Sequence, residues 1–362
     1  MHYALPQRKS SHPPAYAIKP KKSLREQRHL FAIIGIGAIA LIFLLYRLFS
    51  SWSLQVEEIP SKAPYGQPGV VVVTTINPVA DPDFVEKIKA NRIEYATKHG
   101  KVKPMDVWTL LTISIGYATF FPNTTQYSIR DSPQSWARVP AMRHALTLWP
   151  HTPYFFHIDD RTLIMNTNIK IEDHIMNKKK LESMMLVDVP IIPPDSVIKS
   201  YAGLKGDNID LVICQDKDGL MPNAFILRRG EWANFFLDVW FDPLYRSYNF
   251  QKAERHALEH IVQSVTRNHF NNHYDSIPTN INDPRWHGTI LAKIALIPQN
   301  VLTSYIEKEA EIASDNGIYK EGDFTLFFGD CNKGGRSCVS EMRPHFTKLF
   351  AKEKSDLGPE NF

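Results

Sequence analysis

Two short stretches carry side chains whose type and spacing could do chemistry. Tyr154-Phe155-Phe156-His157-Ile158 is an apolar run that ends in Asp159-Asp160-Arg161, and Ile209 to Cys214 is another that ends in Gln215-Asp216, with Asp218 close behind. Carboxylates at strand ends can hold a hard divalent cation, and such a cation neutralises a diphosphate leaving group. Acidic residues after strands are also common as solvated loop residues and helix caps, so the pattern alone leaves both readings open. Trp136, Tyr154, Phe155, Phe156 and Trp232 could stack on sugar faces, although their strand and helix spacing suits a core equally well. Cys331 and Cys338 flank a Gly-Gly turn at a spacing that a disulfide could close in an oxidising compartment. Cys214 is left over, and no second close Cys or His pair completes a zinc site.

The elements that must position these residues alternate along the chain. Gly69 to Thr74 is a continuous β-branched run, the pattern of a strand buried on both faces. Asp83 to His99 follows at helical spacing, with Phe84, Ile88, Ile93 and Ala96 inward, after the Asp81-Pro82 start signal. The same reading gives a strand at Val107–Ser114, a helix at Pro133–Leu148 and a strand at Tyr154–Ile158. Further strands fall at Ile209–Cys214 and Phe225–Leu227, and helices at Glu231–Trp240 and Phe250–Asn268. This predicts an α/β fold with a doubly wound sheet, whose ligands sit beyond the carboxyl ends of the strands. Asp159-Asp160 and Gln215-Asp216 occupy such positions.

Ahead of that domain lies a different kind of sequence. The 17 residues Leu30 to Tyr46 carry no charge, and with Arg47-Leu48-Phe49 they make an apolar stretch long enough at ~1.5 Å per residue to span a bilayer core. Met1 to Leu30 hold seven basic residues and one acidic, which leaves 35 basic and 37 acidic residues in the rest of the chain. The positive flank predicts a cytosolic tail at 1–29, a single transmembrane anchor at 30–49 and a lumenal remainder. A Pro-containing stem at 50–68 leads to a lumenal domain at 69–345 and a carboxyl-terminal tail at 346–362. The near-neutral domain lacks the basic footprint of a nucleic-acid binder. Asn123-Thr124-Thr125 is an N-glycosylation sequon, in keeping with a lumenal address.

Four segments carry a specific resemblance. They are Asn91-Arg92-Ile93-Glu94-Tyr95-Ala96-Thr97-Lys98-His99-Gly100, Trp136-Ala137-Arg138-Val139-Pro140-Ala141-Met142-Arg143-His144-Ala145, Tyr154 through Asn166, and Gln215-Asp216 leading to the run Arg228 through Trp240. In order and spacing the chain resembles the fungal Golgi α-1,2-galactosyltransferases and α-1,6-mannosyltransferases of glycosyltransferase family 34. Within that family it is most similar to subunits of mannan polymerase complexes. The resemblance implies a GT-A fold with a mixed sheet, a GDP-mannose donor, Mn²⁺ held by an Asp-x-Asp motif, and retention of anomeric configuration. It also implies partner mannosyltransferase subunits, an N-glycan acceptor and a Golgi type II membrane address. By matching position Asp159 would be the first metal-binding carboxylate, with Arg92, Arg138 and His144 at the nucleotide; Asp160 could take the second carboxylate's role at the metal, and Arg161 could bind a phosphate. Gln215 and Asp216 would face the sugar and acceptor, and Glu231 and Trp232 would cap and pack a framing helix.

The chain departs from the family pattern at three places. Arg161 stands where the second motif carboxylate belongs, Met221-Pro222 replaces small flexible residues, and Phe327 replaces a His near the end. A guanidinium cannot coordinate a cation, but it can neutralise a phosphate as a bidentate donor. Two function classes follow: a transferase adding α-1,6-mannose, and a glycosyltransferase-shaped subunit that supports a catalytic relative. An α-1,2-galactosyltransferase using UDP-galactose shares the fold.

Overall fold

The computed structural model describes Phe31 and residues 34–45, 62–99, 116–129, 131–194, 196–248, 250–264 and 290–356. The chain divides into two compact units, Met1–Glu58 and Ile59–Phe362. In the first unit Phe31 and residues 34–45 are helical and their side chains are exposed. Among the described residues no helix is both long and apolar enough to cross a membrane. The tail at 1–29, the ends of the 30–49 segment, most of the stem and the strand expected at 107–114 lie outside the described residues.

The second unit is built on a six-stranded mixed sheet. Its strands are β1 (Val70–Val73), β2 (Ala118–Phe120), β3 (Tyr154–Ile158), β5 (Leu211–Asp216), β6 (Gly219–Arg228) and β7 (Ile294–Ile297), in the order β2-β1-β3-β6-β5-β7. β4 (Thr162–Ile164), β8 (Ser304–Tyr305) and β9 (Thr325–Phe327) form a separate three-stranded sheet. In the large sheet β1 pairs in parallel with β2 and β3, while β6 runs antiparallel to both β3 and β5. The β-branched run at β1 behaves as its pattern requires: alternate valines divide between two cores. Val71 and Val73 enter the core on one face, Val70 and Val72 that on the other, and all four are fully buried.

Helix α1 (Pro82–Lys98) begins where expected, because the Asp81 carboxylate accepts from the Phe84 amide at 2.9 Å and Pro82 fills a position that needs no N–H donor. Its inward set differs in one place. Ile93 is 49% exposed, and Asn91, Arg92 and Tyr95 turn inward instead. The chain then adds α2 (Arg138–Leu148), α3 (Lys178–Met184), α4 (Glu231–Trp240), α5 (Pro243–Ser247), α6 (Glu254–Ser264), α7 (Gln299–Leu302) and α8 (Cys338–Asp356). Residues from α2, α4 and α6 pack on one sheet face, and there Trp136, Phe155, Trp232, Phe236 and Trp240 are core. The opposite face is covered by α1, α3 and the small sheet, with Tyr154, Phe156, Phe324 and Phe327 between them. All five aromatics that could have stacked on sugars are buried to 7% exposure or less.

The hairpin of β5 and β6 is longer than its apolar runs foretell. Gln215 and Asp216 continue β5 rather than following it, and Met221-Pro222-Asn223 lies within β6. Pro222 has no N–H for a ladder bond, and the register of the pair shifts between Ile213 and Cys214, so the proline sits beside a local irregularity. The helix expected at 250–268 is described from Glu254 to Ser264. Cys331 and Cys338 are disulfide-bonded, and Cys214 is buried and free.

Candidate functional site

The carboxyl end of β3 and the start of the antiparallel β6 meet at one end of the sheet. A cleft of about 600 Å³ opens there, with Arg138, Asp159, Asp160, Arg161, Asn223 and Tyr305 among its lining residues. Backbone pairing builds its floor, because the Asp159 amide donates to the Asn223 carbonyl at 2.7 Å. The strand-end placement read from the sequence therefore puts the acidic doublet in a cavity.

Asp159 is 6% exposed and its carboxylate is saturated by two guanidinium groups. Oδ1 accepts from the Arg161 amide at 2.9 Å and Nε at 3.1 Å, while Oδ2 accepts from Arg138 Nη2 at 3.0 Å and Arg161 Nη2 at 3.3 Å. Burial alone would raise its pKa, but Arg161 and Arg138 outweigh burial and hold the carboxyl well below its ordinary value. Its neighbour behaves oppositely: burial, and then the adjacent Asp159 charge, push the Asp160 carboxyl up.

Arg161 is fixed from three sides. Its Nη1 donates to the Gly329 carbonyl at 2.9 Å, its Nε to Asp159, and its guanidinium lies 5.5 Å from the centroid of the Phe327 ring. Two of the three departures from the family pattern, Arg161 and Phe327, are thus in contact. Gly329 has a φ of +34°, and a Cβ there would come 2.6 Å from the Glu309 carboxyl carbon, so only glycine fits without displacement. Glu309 in turn accepts from the Asp330 amide at 3.3 Å and from Arg336, which also binds Glu341 at 2.8 Å. The hydrogen bond from Arg336 holds the Glu341 carboxyl down at about 2. This network and the Cys331–Cys338 disulfide fasten the loop that presents the Gly329 carbonyl.

Other residues singled out by sequence lie elsewhere. Arg92 is fully buried and does not line the cleft. Its guanidinium donates to the Asp159 carbonyl at 3.0 Å, to the Thr162 carbonyl and to Asn91, so it supports the doublet from beneath through the backbone. Burial lowers its pKa to about 9, which leaves it a cation at neutral pH. His144 faces away, with Nδ1 3.2 Å from the Tyr127 hydroxyl and its ring edge-on to Phe120, in a separate pocket bounded by Arg143 and Leu237. Asp216 is 1% exposed and is held by Arg255 and by the Tyr305 hydroxyl, which donates to Oδ2 at 2.8 Å. Gln215 does not line the cleft, and its Oε1 is buried without a hydrogen-bond partner. Trp232 packs as expected, stacking on Phe236 at 4.9 Å, but Glu231 does not cap α4: it is the first helical residue, the cap position is Gly230, and no side chain bonds there.

The structure adds cleft residues that sequence spacing does not reveal. Lys252 comes from the turn before α6, Glu254 and Arg255 from its first turn, and Asp330, Asn332 and Lys333 from the disulfide loop. Local signals are limited to charge pairs close in sequence: Arg255 and Glu259 one helical turn apart at 3.3 Å, and Asp330 and Lys333 three residues apart at 3.0 Å. The residues present do not fit the Mn²⁺ implied by the resemblance. Both oxygens of Asp159 are taken by guanidinium donors, the third motif position is Arg161, and the described residues contain no cluster of three metal-ligating side chains.

A sequence profile described as the galactosyl transferase GMA12/MNN10 family matches residues 66–274. An uncharacterized alpha-1,2-galactosyltransferase of Schizosaccharomyces pombe is 25% identical over 68% of this chain and 63% of its own. The probable alpha-1,6-mannosyltransferase MNN11 of Saccharomyces cerevisiae is 24% identical over 78% of this chain and 62% of its own. The chain therefore spans under two thirds of the length of these curated relatives. Among solved structures, a glycosyltransferase involved in glycosylation of the major capsid of PBCV-1 aligns at a TM-score of 0.43 and 11% identity, over 78% of this chain and all of the other. The profile match covers more than half of the sequence, and the chain belongs to the galactosyl transferase GMA12/MNN10 family.

Proposed function

We propose that the cleft over Asp159, Asp160 and Arg161 is the donor site of a hexosyl transfer, on a GT-A-like fold, and that its donor is GDP-mannose. In this reading the chain is a subunit of an α-1,6-mannosyltransferase complex that extends the mannan backbone of N-linked glycans. It is anchored in the Golgi membrane through residues 30–49, with the domain lumenal. The observation that carries the reading is the position of the acidic doublet: the floor of a cavity of about 600 Å³ at the strand ends of a glycosyltransferase-family domain. Relatives described as galactosyltransferases make UDP-galactose the competing donor.

Displacement of labelled GDP from the full-length, detergent-solubilised chain tests this. GDP-mannose is expected to compete at lower concentration than UDP-galactose; the reverse order contradicts the mannosyl assignment, and no displacement by either contradicts the donor site.

One observation favours a second reading, in which the chain supports a catalytic relative without turning over itself. Asp216, the carboxylate that would face the sugar, is buried under Arg255 and Tyr305. Asp159→Ala with Asp160→Ala separates the two readings. Loss of mannosyl transfer by a complex that still assembles supports a donor-site role, and undiminished transfer supports the scaffold.

A further inference from the structure

The cleft already holds a fixed cation of its own. Five cationic side chains line it: Arg138, Arg161, Lys252, Arg255 and Lys333. Arg138 is committed to Asp159 and Glu254, and Arg255 to Asp216 and Glu259, all four of them buried carboxylates. Among the described residues Lys252 and Lys333 pair with the half-exposed Asp218 and Asp330, contacts weak enough for an incoming anion to replace. Arg161 is different from both groups. It is a quarter exposed, it is immobilised by Asp159, the Gly329 carbonyl and the Phe327 ring, and its three side-chain bonds leave two of its five N–H donors for a ligand. Beside it, Asn223 is 5% exposed and lines the same cavity, and its Nδ2 has no hydrogen-bond partner. A buried amide donor without an acceptor carries a desolvation penalty that a ligand oxygen would remove.

We infer that this cleft binds a nucleoside diphosphate without a divalent metal: the Arg161 guanidinium, seated on Phe327 and tethered to Gly329, takes the cation's place against the diphosphate, and Asn223 Nδ2 donates to a ligand oxygen. The inference rests on the donor-site reading above and specifies its electrostatics. A fixed planar fork of donors suits diphosphate oxygens, and the Phe327 ring, its centroid 5.5 Å away, adds a cation–π contact to the guanidinium. The same geometry explains why Arg161 and Phe327 depart from the family pattern together. A metal ligand at either position would remove the cation or its platform.

The test measures GDP affinity of the full-length chain by calorimetry in EDTA and in excess Mn²⁺, with inorganic pyrophosphate as a second probe. Expected are affinities within about twofold of each other in the two conditions, and a loss of about tenfold or more for both probes in Arg161→Gln. A rise of about tenfold or more on adding Mn²⁺ overturns the inference while leaving the donor site standing, and so does unchanged affinity in Arg161→Gln. No GDP binding in either condition removes the donor site and the inference together. Should Arg161→Gln fail to fold, the EDTA and Mn²⁺ comparison on the natural chain decides alone.

Discussion

The two acidic corners of the large sheet, Asp159 at the end of β3 and Asp216 at the end of β5, have the same sequence signature and opposite fates. Each is a carboxylate at a strand end, and each is answered by arginine. At the Asp159 corner one of the arginines, Arg161, reaches the cleft with donors to spare. At the Asp216 corner Arg255 binds Asp216 and Glu259 and Tyr305 seals the carboxylate, so no oxygen of Asp216 lines the cavity. Strand-end position brings a carboxylate to the right edge of the fold. Its counter-ion determines whether a ligand can reach it.

The largest effect is expected at the Asp159 corner, where one residue ties two buried carboxylates. Arg138 bridges Asp159 and Glu254 and donates to the Pro222 carbonyl at 2.7 Å. Arg138→Ala leaves the buried Glu254 without its guanidinium and the buried Asp159 with Arg161 alone, and should destabilise the domain by about 3–5 kcal/mol in urea unfolding. A loss under about 1 kcal/mol would show that the Asp159 corner is not held by this ion pair.

Asp216→Asn tests the closed corner. It leaves Arg255 without its full charge partner and should cost about 2–3 kcal/mol of stability while leaving GDP affinity unchanged within about twofold. A stable variant with impaired binding would instead make Asp216 a ligand-facing group and erase the contrast.

Gly329→Ala perturbs the open corner through its acceptor. The added Cβ meets Glu309 and the residue keeps φ +34°, so about 1–2 kcal/mol of destabilisation is expected, together with weaker GDP binding as the Arg161 tether shifts. Unchanged GDP binding would detach the Gly329 tether from Arg161's role.

The smallest effect comes from within the doublet and concerns pH. Asp159 has a lowered pKa, so its contribution to stability is present above the ordinary carboxylate value near 4 and is lost as pH falls toward the lowered one. Asp160 has a raised pKa, so its contribution is present below about 4 and is lost as pH rises through the raised value. Asp160→Asn should therefore gain about 1 kcal/mol at neutral pH and flatten the stability profile above pH 4, measured by thermal unfolding. Equal stability of the two proteins at every pH would mean that the neighbouring charges do not repel.

Much of this arrangement is legible in the sequence. β1, β3, α1 and α4 follow from a β-branched run, an apolar run before the acidic doublet, a cap signal and an amphipathic face. Those signals are local, and so are the disulfide spacing and the strand-end position of Asp159. What escaped was non-local. Arg255 meets Asp216 across 39 positions, and Arg161 reaches the Gly329 carbonyl across 168, distances over which no spacing rule operates. The short strands β2, β4, β8 and β9, of two or three residues each, are too brief to show a period. Arg92 and His144 illustrate a further limit. Both belong to matching segments, yet one is buried beneath the floor and the other points to a different pocket, because a motif fixes a residue's element and not the direction of its side chain.

A sugar nucleotide in the cleft over Asp159, Asp160 and Arg161 is the central requirement of a donor site. Photo-crosslinking of the full-length chain with a photoreactive GDP-mannose, mapped by peptide mass spectrometry, measures this directly. Labelling competed by GDP-mannose and confined to the cleft segments at 133–138, 159–161, 218–223, 251–255 and 329–333 is the predicted result. Competed labelling confined to peptides outside the cleft, such as the one carrying His144, would contradict it.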